Sequence, residues 1–313
     1  MKPEKYNEAC TTFADTNITI CQSGKRYLGG SLGGDKFARD FMGEKVSAWV
    51  KELDHLAKYA AVEQHAAFAA LTHGLIGRWV YAIRVSEPVA DDLFQLLETA
   101  IRQKIIPALT AQPPPNDEMR KLFALPARLG GLGITNPMDI VTTQRSMSEE
   151  ISQPLVNLIL HTNKSSSGSC TNADQQSDGP EDVLQAMQQQ KLTKRRKQHE
   201  HQKAQKAEAQ SVIALLPAAQ RECALAGQEK GVSSWLGALP IERAGFSLHK
   251  GAFRDAIALR YNLPLPHLPQ KCTCGEVFTI NHALVCRQGD FPFSDTTACV
   301  ILLLRCSTKF VTM

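Results

Sequence analysis

The stretch from Cys272 to Cys286 constrains this chain more than any other, because residue types and spacing there ask together for one chemistry. Cys272 and Cys274, separated only by Thr273, can present two thiolates from one tight turn, and Gly275 frees the backbone to make it. His282 and Cys286 stand at i and i+4, so on a short helix they share a face. A Cys3His set fills a tetrahedron and leaves no open position for a substrate or an activated water, which makes the reading a structural zinc site. The alternative is three free thiols and a histidine packed in a small core, since unpaired cysteine is often buried as a small hydrophobe. One residue between the first two cysteines is narrower than the two that are common in such clips.

Composition sets the frame for the rest. Hydrophobic residues make up 43% of the 313 positions, enough for a sizeable core in at least one of two or three units. The nine cysteines are odd in number and irregular in spacing (Cys10, Cys21, Cys170, Cys223), which argues against a disulfide framework. The start, Met1 to Phe13, lacks the apolar core of a signal peptide, so reduced thiols and an intracellular location, nucleus or cytoplasm, are expected. The apolar run Ala298 to Leu304 is far shorter than the roughly 20 residues of a membrane helix, and no membrane partner is expected. A net charge of +4 is mild, so contact with nucleic acid has to come from local clustering.

Taken in order, the chain reads as mainly α with a short N-terminal β-hairpin. Within 1–34, Asn17 to Cys21 alternates as a strand, Gln22 to Lys25 is a turn and Arg26 to Gly30 is the returning strand. Ser31 to Gly34 is glycine-rich but lacks the lysine of a phosphate loop and reads as a flexible exit. Segment 35–112 reads as a bundle of three amphipathic helices. The first is opened by Asp35 or by the glycine before it and carries Phe37, Phe41, Val46, Trp49, Val50 and Leu53; the second spans Val62 to Val85; the third spans Ala90 to Ile106 and is stopped by Pro107. On the second, Arg78 and Arg84 beside Trp79 and Tyr81 suit nucleic acid, with solvated arginines beside core aromatics as the alternative. Segment 113–162 combines the stiff Pro113-Pro114-Pro115, a short helix from Met119 to Leu125, a turn with close backbone approach from Leu125 to Ile134, and a helical stretch from Pro137 to Ile159 interrupted near Pro154. Segment 163–180 is a disordered linker by composition.

Segment 181–230 holds a solvated, charged helix, Glu181 to Gln210, whose run Lys194-Arg195-Arg196-Lys197 contacts phosphates, serves as a nuclear address or is merely a solvated face. Segment 231–268 turns apolar again (Trp235, Leu236, Phe246, Phe253, Ile257, Tyr261) and reads as a small helical domain. The zinc knuckle occupies 269–292, and 293–313 carries no motif that can be interpreted.

The order of several pieces carries a resemblance. Gly24 to Gly30, Lys45 to Trp49, Leu125 to Ile134 with Asn136-Pro137, Ser234-Trp235-Leu236, and Phe253 to Ala256 before the clip resemble the C-terminal part of reverse transcriptases from non-long-terminal-repeat retrotransposons, over roughly Phe13 to Pro292. The resemblance implies that the Tyr27-Leu28-Gly29 hairpin closes a palm, that the following helices are a thumb gripping template and primer, and that the knuckle is the family's Cys-Cys-His-Cys element. Family activity, RNA-directed DNA polymerisation, needs palm carboxylates holding two divalent metals upstream of the hairpin. Only 26 residues precede Tyr27. Val89-Ala90-Asp91-Asp92 lies downstream, has Val89 where an aromatic belongs, and sits at a helix start where the dipole favours acids. No catalytic residue is therefore expected, and beyond Pro292 the chain departs from the family pattern. The expectation is a fragment that binds RNA or DNA through Lys25, Arg26, Arg78, Arg84, Lys194, Arg195, Arg196 and Lys197. Its competitors are a helical protein-interaction module stapled by zinc, and half of a polymerase completed by a palm-containing chain.

Overall fold

The apolar spacing of the sequence folds into helices through most of the chain, and the computed structural model describes residues 3–86, 92–165, 180–265, 269–279, 282 and 286. The order is α1 (Pro3–Thr12), β1 (Gly24–Tyr27), β2 (Gly30–Gly33), α2 (Asp35–Ala60), α3 (Gln64–Ala69), α4 (Ile76–Val85), α5 (Asp92–Ala100), α6 (Ile106–Thr110), α7 (Asp117–Ala124), α8 (Pro137–Ser165), α9 (Pro180–Leu215), α10 (Ala218–Ala226) and α11 (Lys250–Arg260). A wide π turn, Ala70–Leu75, joins α3 to α4, and another, Ile101–Ile105, joins α5 to α6.

Several boundaries differ from the sequence reading. Pro107 does not stop the third helix, which runs on to Thr110 and closes at Ala111, at a φ of 53°. A proline in an α-helix crowds the carbonyl four residues back, here Gln103, and the wide turn lies at that residue. Pro154 does not interrupt α8 either. The carbonyl it leaves without a donor belongs to exposed Glu150, where water can serve it. Residues 166–179, most of the linker segment, lie outside the described residues, as do Val89, Ala90 and Asp91.

The described residues form two compact units. The first comprises Met1–Lys45, Arg78–Leu93 and Pro137–Glu208. Its hairpin is antiparallel, with Tyr27 opposite Gly30 and Gly24 opposite Gly33. This corrects the expected register: Asn17 to Cys21 forms no strand, and the expected flexible exit supplies β2. Leu28 and Gly29 both have positive φ, 47° and 84°, the two-residue turn whose twist suits paired strands, so Arg26 and Tyr27 pair forward rather than backward. A leucine in that region costs about 1–2 kcal/mol. The Tyr81 hydroxyl holds it by donating to the Leu28 carbonyl at 2.5 Å.

The second unit comprises Val46–Gly77, Phe94–Asn136 and Ala209–Met313. Its core takes Leu53, Phe68 and Leu71, then Leu97, Ile101, Ile105 and Ile106, then Leu122 and Ile134, and finally Phe253, Ile257 and Tyr261. The segment 231–268 is therefore not a separate domain. Phe253 of α11 sits 5.5 Å from the Phe68 ring of α3, and Tyr261 meets Phe123 edge-on at 5.0 Å. One short helix offers too little apolar surface to fold alone, and two distant segments share one core. Asn116 caps α7 by accepting the Met119 N–H at 2.9 Å. The Leu125 to Ile134 turn makes the expected close approach: a Cβ on Gly131 would overlap the Leu125 carbonyl.

His65, on α3, ties that helix to the later segment. Its ring is buried, stacks on Phe253 with centroids 5.0 Å apart, faces the Ala238 carbonyl through Nε2 at 3.1 Å and accepts the Leu248 N–H through Nδ1 at 3.2 Å. A carbonyl only accepts, so Nε2 carries the proton and Nδ1 must stay bare. Burial lowers the His65 pKa below its ordinary value, against a smaller upward pull from the Ala238 carbonyl. The folded state therefore binds this proton less readily than the unfolded state. Its contribution is fully present above about pH 6.5 and is lost as pH falls through the lowered value. Thermal unfolding between pH 8 and pH 5 should show the midpoint dropping on the acid side, with a shallower fall in His65→Gln; parallel curves would contradict this.

Candidate metal centre and nucleic-acid interface

A tight hairpin builds the first half of the metal centre. Lys271 bridges Val277, the Cys272 N–H donates to the Glu276 carbonyl at 2.9 Å, and the Gly275 N–H returns to the Cys272 carbonyl at 2.9 Å. Gly275 takes a φ of 92°, so the one-residue spacing between the cysteines is accommodated by a turn that a side chain would strain. In the second half the Cys286 N–H donates to the His282 carbonyl at 2.8 Å, while the His282 N–H donates to Thr279 Oγ1 at 3.0 Å. The intervening residues 283–285 lie outside the described set.

These two pieces bring all four expected ligands together. The donor atoms of Cys272, Cys274, His282 and Cys286 lie within 4.8 Å of one another, a group that could hold a metal ion. Cys272 Sγ is 3.6 Å from Cys286 Sγ, and Cys274 Sγ is 3.1 Å from His282 Nε2. A tetrahedron with metal–sulfur bonds of about 2.3 Å has edges of about 3.8 Å, so the cluster is near the required size. Cys272 and Phe278 are buried, whereas Val277 is exposed.

The thiols already interact. Burial pushes the Cys272 thiol up, but hydrogen bonds from the Cys274 backbone and side chain, His282 and Cys286 outweigh it and hold it at about 6. At Cys274 the Glu276 backbone pulls downward, yet burial and the neighbouring Cys272 and Cys286 carry the net shift upward. One negative charge here discourages the next, a conflict that a bound cation removes.

The expected nucleic-acid residues divide. Arg26 and Arg78 lie close enough to Lys45 to disfavour its charge: its pKa is lowered first by burial, then by Arg26 and then by Arg78. Lys45, 5.0 Å above the Phe41 ring, is a member of this basic cluster that sequence reasoning missed. It stood inside a helix pattern, and only folding sets it beside a hairpin residue. Lys25 is exposed on β1 but alternates to the other face from Arg26. Arg84 is engaged elsewhere, donating from Nε to Gln144 Oε1 at 3.0 Å. The basic run on α9 is not one patch. Lys197 pairs with Glu150 at 2.6 Å and Glu200 at 3.3 Å, Arg196 leans on Glu200 at 3.7 Å, and Lys194 and Arg195 are exposed. Asp92 opens α5 and is held by Arg39 at 2.6 Å, in keeping with a helix start.

Comparison with protein-family models, curated proteins and solved structures finds no match to this chain. Among the described residues, no helix is long and apolar enough to cross a membrane.

Proposed function

We propose that this chain is a nucleic-acid-binding relative of the C-terminal part of non-long-terminal-repeat reverse transcriptases, with a basic hairpin and thumb-like helices that meet a phosphate backbone and a knuckle held by structural zinc. The observation that carries the proposal is the gathering of Arg26, Lys45 and Arg78, where the neighbours acting on Lys45 are both cations. Like charges brought together disfavour one another, and a row of phosphates relieves the strain. Tyr27 and the strained Leu28 stand exposed on the same hairpin, which offers an aromatic ring for stacking. Zinc fits the metal centre because three thiolates and an imidazole close a tetrahedron without an open position. Bound there, the ion would staple the knuckle and supply no catalysis. A partner chain bearing the palm remains a second proposal, testable by restoring primer extension in trans.

The test is equilibrium binding to an RNA–DNA hybrid duplex over a range of salt. Log affinity should fall steeply with log salt and depend little on base sequence. Arg26→Ala with Lys45→Ala should make the slope shallower by about 2, at roughly 0.9 per phosphate contact. A slope unmoved by that pair would reject the reading and favour the zinc-stapled interaction module.

A further inference from the structure

The run Lys194 to Lys197 is wound around α9 so that successive residues point a quarter-turn or more apart, and no single partner can meet all four. The same helix creates a different pattern. Lys191, Arg195, His199, Gln202 and Lys206 recur at i, i+4, i+8, i+11 and i+15, which keeps them on one face, with Lys203 flanking. All of them are exposed. The two acids of this stretch, Glu200 and Glu208, fall on the far side, where Glu200 is occupied with Arg196 and Lys197. At 1.5 Å per residue the row is about 22 Å long.

We infer that this row, and not the consecutive basic run, is a second binding site for the phosphate backbone of a nucleic-acid duplex. The choice of partner rests on the nucleic-acid reading above. Three cations, Lys191, Arg195 and Lys206, with the polar His199 and Gln202 between them, form a straight line that can follow the line of charges a phosphate backbone presents whatever its sequence. A lipid surface is the poorer fit. A helix that lies on a membrane buries an apolar face, and from Thr193 to Ser211 this one contains no Val, Leu, Ile, Met, Phe, Tyr or Trp. The side opposite the row is taken up where Lys197 is tied to Glu150 of α8.

The test compares two variants of the full chain that lose the same charge from neighbouring positions: Arg195→Gln with Lys206→Gln on the row, and Lys194→Gln with Arg196→Gln off it. Glutamine keeps helix propensity, and circular dichroism checks that α9 is retained. On an RNA–DNA hybrid the row pair should make the slope of log affinity against log salt shallower by about 2, and the off-row pair should leave it unchanged. Equal changes in both pairs, or none in the row pair, would overturn the site. So would row-dependent binding to phosphatidylserine vesicles without row-dependent binding to the duplex. If Arg26→Ala with Lys45→Ala changes the slope while the row pair does not, the proposed function stands and the row alone fails.

Discussion

Arg120→Ala is expected to destabilise the second unit by about 3–5 kcal/mol, because it leaves a carboxylate buried without its cation. Arg120 on α7 and Glu98 on α5 form a two-pronged pair, Nε to Oε1 and Nη2 to Oε2 at 2.7 Å each, with side chains only 5% and 10% exposed. Arg120 Nη1 also donates to the Ile134 carbonyl at 2.8 Å, so one guanidinium fixes both the helix pair and the turn that follows α7. The loss would be a large share of the 5–15 kcal/mol that keeps a typical domain folded. Glu98→Ala should cost a similar amount. Replacing both, Arg120→Met with Glu98→Leu, should cost far less than either single change, since well-packed apolar residues commonly substitute for a buried pair. Urea unfolding midpoints of the three variants check this. Single variants within about 1 kcal/mol of the parent chain would show that the pair is not the lock described here.

Neither partner announced itself in the sequence. Arg120 and Glu98 sit in amphipathic stretches among other charged residues, and which charges fold inward depends on packing between α5 and α7 rather than on periodicity. Helix existence was easier to read than helix ends. On α2 the expected Val46, Trp49 and Leu53 are buried, whereas the expected Phe37, Phe41 and Val50 are only half-buried and Ala38 and Met42, which the sequence reading did not name, are buried instead. The effect of Pro107 and Pro154 was not legible, because a proline marks a lost hydrogen bond without saying whether packing or water makes up for it. The hairpin shows a similar limit. Alternation in Asn17 to Cys21 suggested a strand, yet a strand needs a neighbour, and the Leu28-Gly29 turn assigned that place to Gly30–Gly33.

The metal centre was legible because its information is local. Each half, Cys272 with Cys274 and His282 with Cys286, pairs ligands close in sequence, and only the meeting of the halves needed the structure. The basic surfaces were legible in part. Arg26 and Arg78 emerged from the sequence, but Lys45 joined them only through folding, and the run on α9 proved to be spread around a helix.

The second large effect is expected on metal removal. Among the described residues of the knuckle, Phe278 is the one large apolar side chain that is buried, worth about 1.5–3 kcal/mol, against ordering costs of about 1–2 kcal/mol for every residue fixed. Burial therefore falls well short, and a metal bound with on the order of 10 kcal/mol is large enough to close the gap. Chelation should unfold the knuckle while leaving the helices of both units in place, and affinity should fall with pH because each thiolate ligand must first lose its proton. The most direct measurement is a cobalt titration of the full chain followed by absorption. The account predicts thiolate charge-transfer bands and tetrahedral cobalt bands at one equivalent, lost in Cys274→Ser and in Cys286→Ser and kept in Cys299→Ser and Cys306→Ser, two positions outside the described residues. Bands that persist without Cys274, or that depend on Cys299, would contradict it.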